Sequence, residues 1–131
     1  MLKPLVQGLL LCCAGLSMQA FALGYSQKYE LCMRNAQSQS GNIVKCQLKE
    51  FKVQNKRMKK IFKMTLNDAS AADRPLVKQS QTVWLQRRDN ACGIGGKKLK
   101  EYSLTNSSCV LQMTESHADM LEVRMENKIQ K

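Results

Sequence analysis

The chemistry available to this sequence starts with its lysines. Lys45, Lys49, Lys52, Lys56, Lys59, Lys60 and Lys63 recur at short, mostly three- and four-residue spacings. At about 100° per residue on a helix they fall within one sector of roughly 100°. Phe51, Met58 and Phe62 point roughly 110 to 150° away from the middle of that sector, so the lysines can face water while the apolar residues face a core. Crowded ammonium groups repel one another, Glu50 is too few to offset them, and a polyanion would relieve the repulsion. The alternative is a solvated face that only keeps the protein soluble. Lysine is a point charge without the planar fork of arginine, so binding through this stripe should be salt-sensitive and poorly selective. Anionic envelope glycan, such as lipopolysaccharide, and an anionic membrane surface are the expected partners. Nucleic acid is disfavoured, because its readers interleave arginines and exposed aromatics with lysines.

Other residues with chemical potential point to structure. Cys32, Cys46, Cys92 and Cys109 lie beyond the first 22 residues, and no two of them have the short gap of a zinc knuckle. Two disulfides are expected in an oxidising compartment. Of the three possible pairings, the nearest-neighbour one, Cys32 with Cys46 and Cys92 with Cys109, is preferred. His117 is the only imidazole; no nucleophile motif accompanies it, so it reads as a hydrogen-bonded, half-buried residue. Trp84 and Arg88 stand one turn apart and can make a cation–π contact, with Arg88 covering the ring and Asp89 bracing a helix end. Gly93-Ile94-Gly95-Gly96 lacks the setting of a phosphate loop and reads as helix termination. No catalytic residue, metal site or cofactor is expected, and an enzyme ranks last among the function classes.

These residues need a scaffold, and composition describes one. The chain has 131 residues, is 44% hydrophobic, 24% charged and 5% aromatic, and carries a formal charge of +11. It should form one folded domain whose core is Leu, Met, Val and Ile, with a helical bias. Residues 1–22 read as an export signal: Lys3 begins it, Leu5 to Leu16 form the apolar run, and Ala20-Phe21-Ala22 is the cleavage motif. The run is too short for a membrane anchor, and Leu11 and Cys12 stand before Cys12 and Cys13 where a lipoprotein signal wants a small residue. Cleavage before Leu23 leaves 109 residues with a formal charge of +10, periplasmic or secreted.

Within residues 23–131, periodicity predicts an all-α domain of three helices and no strand, a helical hairpin followed by a third helix. The first runs from Val44 to Leu66, with Leu48, Phe51, Met58, Ile61, Phe62 and Leu66 inward. Ser70-x-x-Asp73 and Pro75 open the second, which carries Leu76, Val77, Ser80, Val83 and Trp84 on one side. Thr105 to Ser108 cap the third, which buries Val110, Met113, His117, Met120 and Leu121. The last residues are expected to fray.

One string now stands out: Leu76, Gln81, Trp84-Leu85-x-x-Arg88-Asp89-x-x-Cys92, then Gly95-Gly96 and Cys109 followed by Thr114 and Leu121. It resembles the small exported bacterial domain family named for the lysozyme inhibitor LprI, and the likeness extends upstream to Cys32, Cys46 and Phe51. The resemblance implies a disulfide-bonded helical domain of the bacterial envelope, with Gln81, Trp84, Arg88 and Asp89 as structural motif residues and a lysozyme or another envelope protein as target. Four positions depart from the family pattern. Met58 and Phe62 replace its usual Leu and Tyr in the first helix, Lys59 replaces an Asn, and His117 stands where an Arg is usual. Charge also bears on the target, because c-type lysozymes are basic and a +10 partner meets long-range repulsion during encounter.

Overall fold

The computed structural model describes residues 23–131; the expected export signal lies outside them. Four α-helices are present among the described residues: α1 (Gln27–Asn35), α2 (Ser40–Asp68), α3 (Arg74–Ala91) and α4 (Leu104–Ile129), with one 3-10 turn at Leu99–Glu101. The all-α expectation holds, and a helix is added to it. Helix α1 has nine residues, and its apolar stripe of Tyr29, Cys32 and Met33 is only half-buried, too short a pattern for periodicity to single out. Its supports are tertiary and local. The Ser26 hydroxyl accepts from the Tyr29 amide, and the Cys32–Cys46 disulfide ties the helix to α2. Between α1 and α2, Gln37 and Ser38 take left-handed conformations, with φ of 51° and 59°.

Helix α2 is 29 residues long, about 43 Å, and is longer than the Val44–Leu66 expectation at both ends. Cys46, Gln47, Glu50, Phe51, Gln54, Met58 and Ile61 face inward. After Asp68 the chain turns through Ser70, whose hydroxyl donates to the Asp73 carboxylate at 2.7 Å while accepting from the Asp73 amide at 3.2 Å. Pro75 sits in the first turn of α3, where its missing N–H has no helical partner to lose. Gly93 then terminates that helix with φ +63°, a conformation a side chain would resist.

Cross-contacts define the topology. Gln47 accepts from the Ser107 hydroxyl, Arg57 meets Glu122 and Lys128 meets Asp68, so α2 and α4 run parallel. Gln81 pairs with His117 and Arg88 with Thr114, so α3 runs antiparallel to α4. The α2–α3 hairpin exists, but α4 is the neighbour that packs most closely on α2. The reason is side-chain size. Ser107, Val110, Thr114 and Ala118 recur along α4 and are completely buried, and small side chains allow close axial approach. Helix α3 instead reaches the core through long groups: Gln81, Trp84 and Arg88.

Two apolar clusters result. Phe51, Cys92, Ile94, Val110 and Leu111 form one; Met58, Ile61, Ala118 and Leu121 form the other, with Phe62 and Trp84 packed against it. Leu76 and Val83 were expected to face inward on α3 and are exposed at 64% and 46%. Met120 is likewise exposed. In each helix a polar or small residue occupies the inward position: Gln81 and Arg88 in α3, Thr114 and Ala118 in α4. The cap of α4 also falls earlier than expected, at Ser103, whose hydroxyl accepts from the Asn106 amide at 3.1 Å.

The cysteines pair as nearest neighbours, Cys32–Cys46 and Cys92–Cys109. Asn106 Nδ2 donates to the Cys92 carbonyl at 2.8 Å, fastening the end of α3 to the start of α4 beside the second disulfide.

Candidate functional site

The outward face of α2 carries the stripe. Lys45, Lys49, Lys52, Lys56, Lys59, Lys60 and Lys63 are all exposed, over a length of about 27 Å at 1.5 Å per residue. Glu50 and Arg57, the other charged residues between Lys45 and Lys63, both turn inward. Glu50 is 2% exposed; its carboxylate accepts from the Ser26 amide at 2.8 Å, the Ser26 hydroxyl at 2.6 Å and Gln54 Nε2 at 2.7 Å. Arg57 Nε donates to Glu122 at 3.0 Å, and its Nη2 pairs with Asp119. The stripe therefore presents lysine without a neutralising carboxylate between Lys45 and Lys63.

Behind the stripe lies a polar cluster that the sequence pattern did not reveal. Glu50, Gln54 and Glu122 are buried, and residues 24–26 close over them. The Gly24 amide donates to both Asp119 oxygens at 3.1 Å, and its carbonyl accepts from Gln54 at 3.1 Å. Burial opposes the Arg57 charge, and the hydrogen bonds to Asp119 and Glu122 outweigh it, so its pKa is raised. Burial also works against the Asp119 carboxylate, but Arg57 and the Gly24 amide hold its pKa below the ordinary value. Glu115 goes the other way, raised by burial and by Asp119 beside it.

On the flank of the stripe is a shallow groove of about 460 Å³ between α2 and α4, lined in part by Val53, Lys56, Lys60 and Met64. A second hollow of about 310 Å³ lies toward α1, with Lys28, Tyr29 and Lys49 on its walls. Val53 borders both. Val53 and Met64 are 50% and 37% exposed. Sequence reasoning passed over them, although helical arithmetic places both between the core positions and the lysine sector.

Gln81, Trp84, Arg88 and Asp89 meet on the other side of the molecule, away from the stripe. The Trp84 and His117 rings stack with centroids 3.8 Å apart and planes 8° from parallel. His117 Nε2 lies 3.0 Å from Gln81 Oε1. The Arg88 guanidinium is 5.6 Å from the Phe51 ring centre and 5.4 Å from that of Trp84; it pairs with Asp89 at 2.8 Å and donates to Thr114 at 3.3 Å. These contacts join α2, α3 and α4 in one brace. His117 thus holds Trp84 by stacking and Gln81 through Nε2.

Burial, then the charges of Arg124 and Arg88, push the His117 pKa down to about 4. The unfolded chain takes up this proton near its ordinary value of 6.5 and the folded protein only near 4, so stability falls as pH drops through that window. The expected loss is about 1–2 kcal/mol after allowance for solvent screening of a partly buried ring. Urea titrations across the window check it, with His117→Gln showing a flatter dependence. The raised Glu115 pKa contributes with the opposite slope, so the difference between the two proteins reads the imidazole.

No group of three or more metal-ligating side chains occurs among the described residues, and no described helix is long and apolar enough to cross a membrane. The sequence model of the family described as Lysozyme inhibitor LprI matches residues 32–121. No curated protein and no solved structure matches the chain.

Proposed function

Because this chain belongs to the Lysozyme inhibitor LprI family, we propose that it is an exported binding protein of the bacterial envelope that blocks a muramidase or another envelope protein. The family match carries this reading. It spans both disulfides, the parallel α2–α4 pair and the Trp84–His117 brace, which together make a rigid body of the kind that binds without rearranging.

The polar groups nearest to looking catalytic have internal partners. His117 holds Gln81 and stacks on Trp84, Arg88 holds Asp89 and Thr114, and Glu50 is held by Ser26 and Gln54. This supports action by surface complementarity. Charge narrows the target: a domain with a formal charge of +10 approaches an acidic or neutral muramidase faster than a basic one.

Lysis of a peptidoglycan suspension by c-type, g-type and bacterial muramidases tests the proposal, with and without the oxidised protein, at low and near-physiological salt. The expected result is inhibition of one enzyme class that persists at the higher salt, where long-range attraction is screened. Inhibition confined to low salt, or none with any class, overturns the muramidase reading.

A further inference from the structure

We propose that the lysine face of α2 and the groove on its flank form one docking surface for an anionic lipid bilayer. The lysines would meet headgroup phosphates, and Val53 and Met64 would enter the boundary between headgroups and acyl chains. This goes beyond the inhibitor reading, since it assigns a second face of the molecule a second partner.

The argument starts from the side chains that leave the face. With Glu50 turned in to Ser26 and Gln54 and Arg57 turned in to Asp119 and Glu122, the outward surface of α2 holds exposed ammonium groups and no carboxylate from Lys45 to Lys63. Charge complementarity therefore requires an anionic partner that is extended over about 27 Å, which suits a surface better than a small ligand. Lysine without arginine suits mobile headgroups, which offer diffuse negative potential instead of a fixed bidentate acceptor.

The groove distinguishes lipid from other polyanions. Val53 and Met64 lie roughly 70 to 90° round α2 from the middle of the lysine sector, close enough to share one approach. Their exposure, 50% and 37%, is apolar area that a glycan or a nucleic acid backbone has no use for. Lys56 and Lys60 edge the same groove, and their methylene stems continue the apolar surface while their heads stay at the phosphates. An amphipathic face of this kind lies in the interface plane at a depth of about 5–10 Å.

Co-sedimentation of the oxidised protein with phosphatidylglycerol–phosphatidylcholine vesicles, against pure phosphatidylcholine, tests the proposal. Binding to the anionic vesicles at near-physiological salt is expected. Replacing Lys52, Lys56 and Lys59 together by Gln should weaken it on the order of 100-fold, about fivefold per lysine. The pair Val53→Ser and Met64→Ser should weaken it about 10-fold while keeping the full lysine charge. Unchanged thermal melting keeps both variants informative, as all five side chains face solvent. Absence of binding to anionic vesicles overturns the proposal. So does an unaltered affinity in the Val53 and Met64 variant together with equal binding to a soluble anionic polysaccharide, a result that would assign the stripe to charge alone.

Discussion

Arg57→Met is expected to destabilise the protein by about 3–5 kcal/mol, the cost of stranding a buried carboxylate whose partner has gone. Arg57 is the cation that faces both Asp119 and Glu122, and the Glu122 side chain is only 5% exposed. Methionine preserves the stem but leaves these carboxylates with their mutual repulsion and with Glu115 close by. The guanidinium also contacts Gln54 and the Gly24 carbonyl, so the closure formed by residues 24–26 loosens at the same time. Urea denaturation measures the loss, and adding Glu122→Gln to the variant should recover a large part of it by removing the unpaired charge. A loss below about 1 kcal/mol would show that water reaches the cluster and that it behaves as a surface network.

Removal of the Cys92–Cys109 disulfide by paired serine substitution should cost about 3 kcal/mol from loop-closure entropy, given its sequence separation of 17. Cys32–Cys46 has a separation of 14 and a similar entropic term, yet its removal should look different. Cys92 belongs to an apolar cluster with Phe51, Ile94, Val110 and Leu111, so loss of its bridge weakens the junction of α3 with α4 and lowers the global transition. The first bridge holds α1, whose inward residues are only half-buried, so its loss should release α1 locally before the remainder unfolds. Hydrogen exchange distinguishes the two: amides of α1 lose protection in the Cys32/Cys46 variant while those of α4 keep theirs. Equal loss throughout would mean that α1 is integral to the cooperative unit.

Legibility followed burial. Helix α2 could be read because Phe51, Met58 and Ile61 repeat on one side and lysines on the other, the pattern a half-buried helix must have. The end of α3 was readable from Cys92 and Gly93, and its start from Ser70, Asp73 and Pro75. Helix α1 could not be read, because its nine residues carry a stripe of only Tyr29, Cys32 and Met33, too short for periodicity to set apart from a loop. The inward faces of α3 and α4 were only half readable for a related reason. Gln81, Arg88, Thr114 and Glu122 are polar by type, and they are buried only because partners from other helices satisfy them.

The sequence by itself determined the helical class, the two-disulfide framework and the lysine sector, all of which depend on local spacing and composition. Only the tertiary structure decided how the polar residues behind the lysine face are satisfied. Helical arithmetic already places Glu50 and Arg57 roughly 110 to 130° from the middle of the lysine sector; what satisfies them there is contact with Ser26, Asp119 and Glu122, remote in sequence. Parallel packing of α4 on α2 likewise rests on contacts across a separation of 60 residues, Ser107 with Gln47 and Lys128 with Asp68. The groove between those helices, with Val53 and Met64 at its edge, exists because of that pairing and has no counterpart in either helix alone.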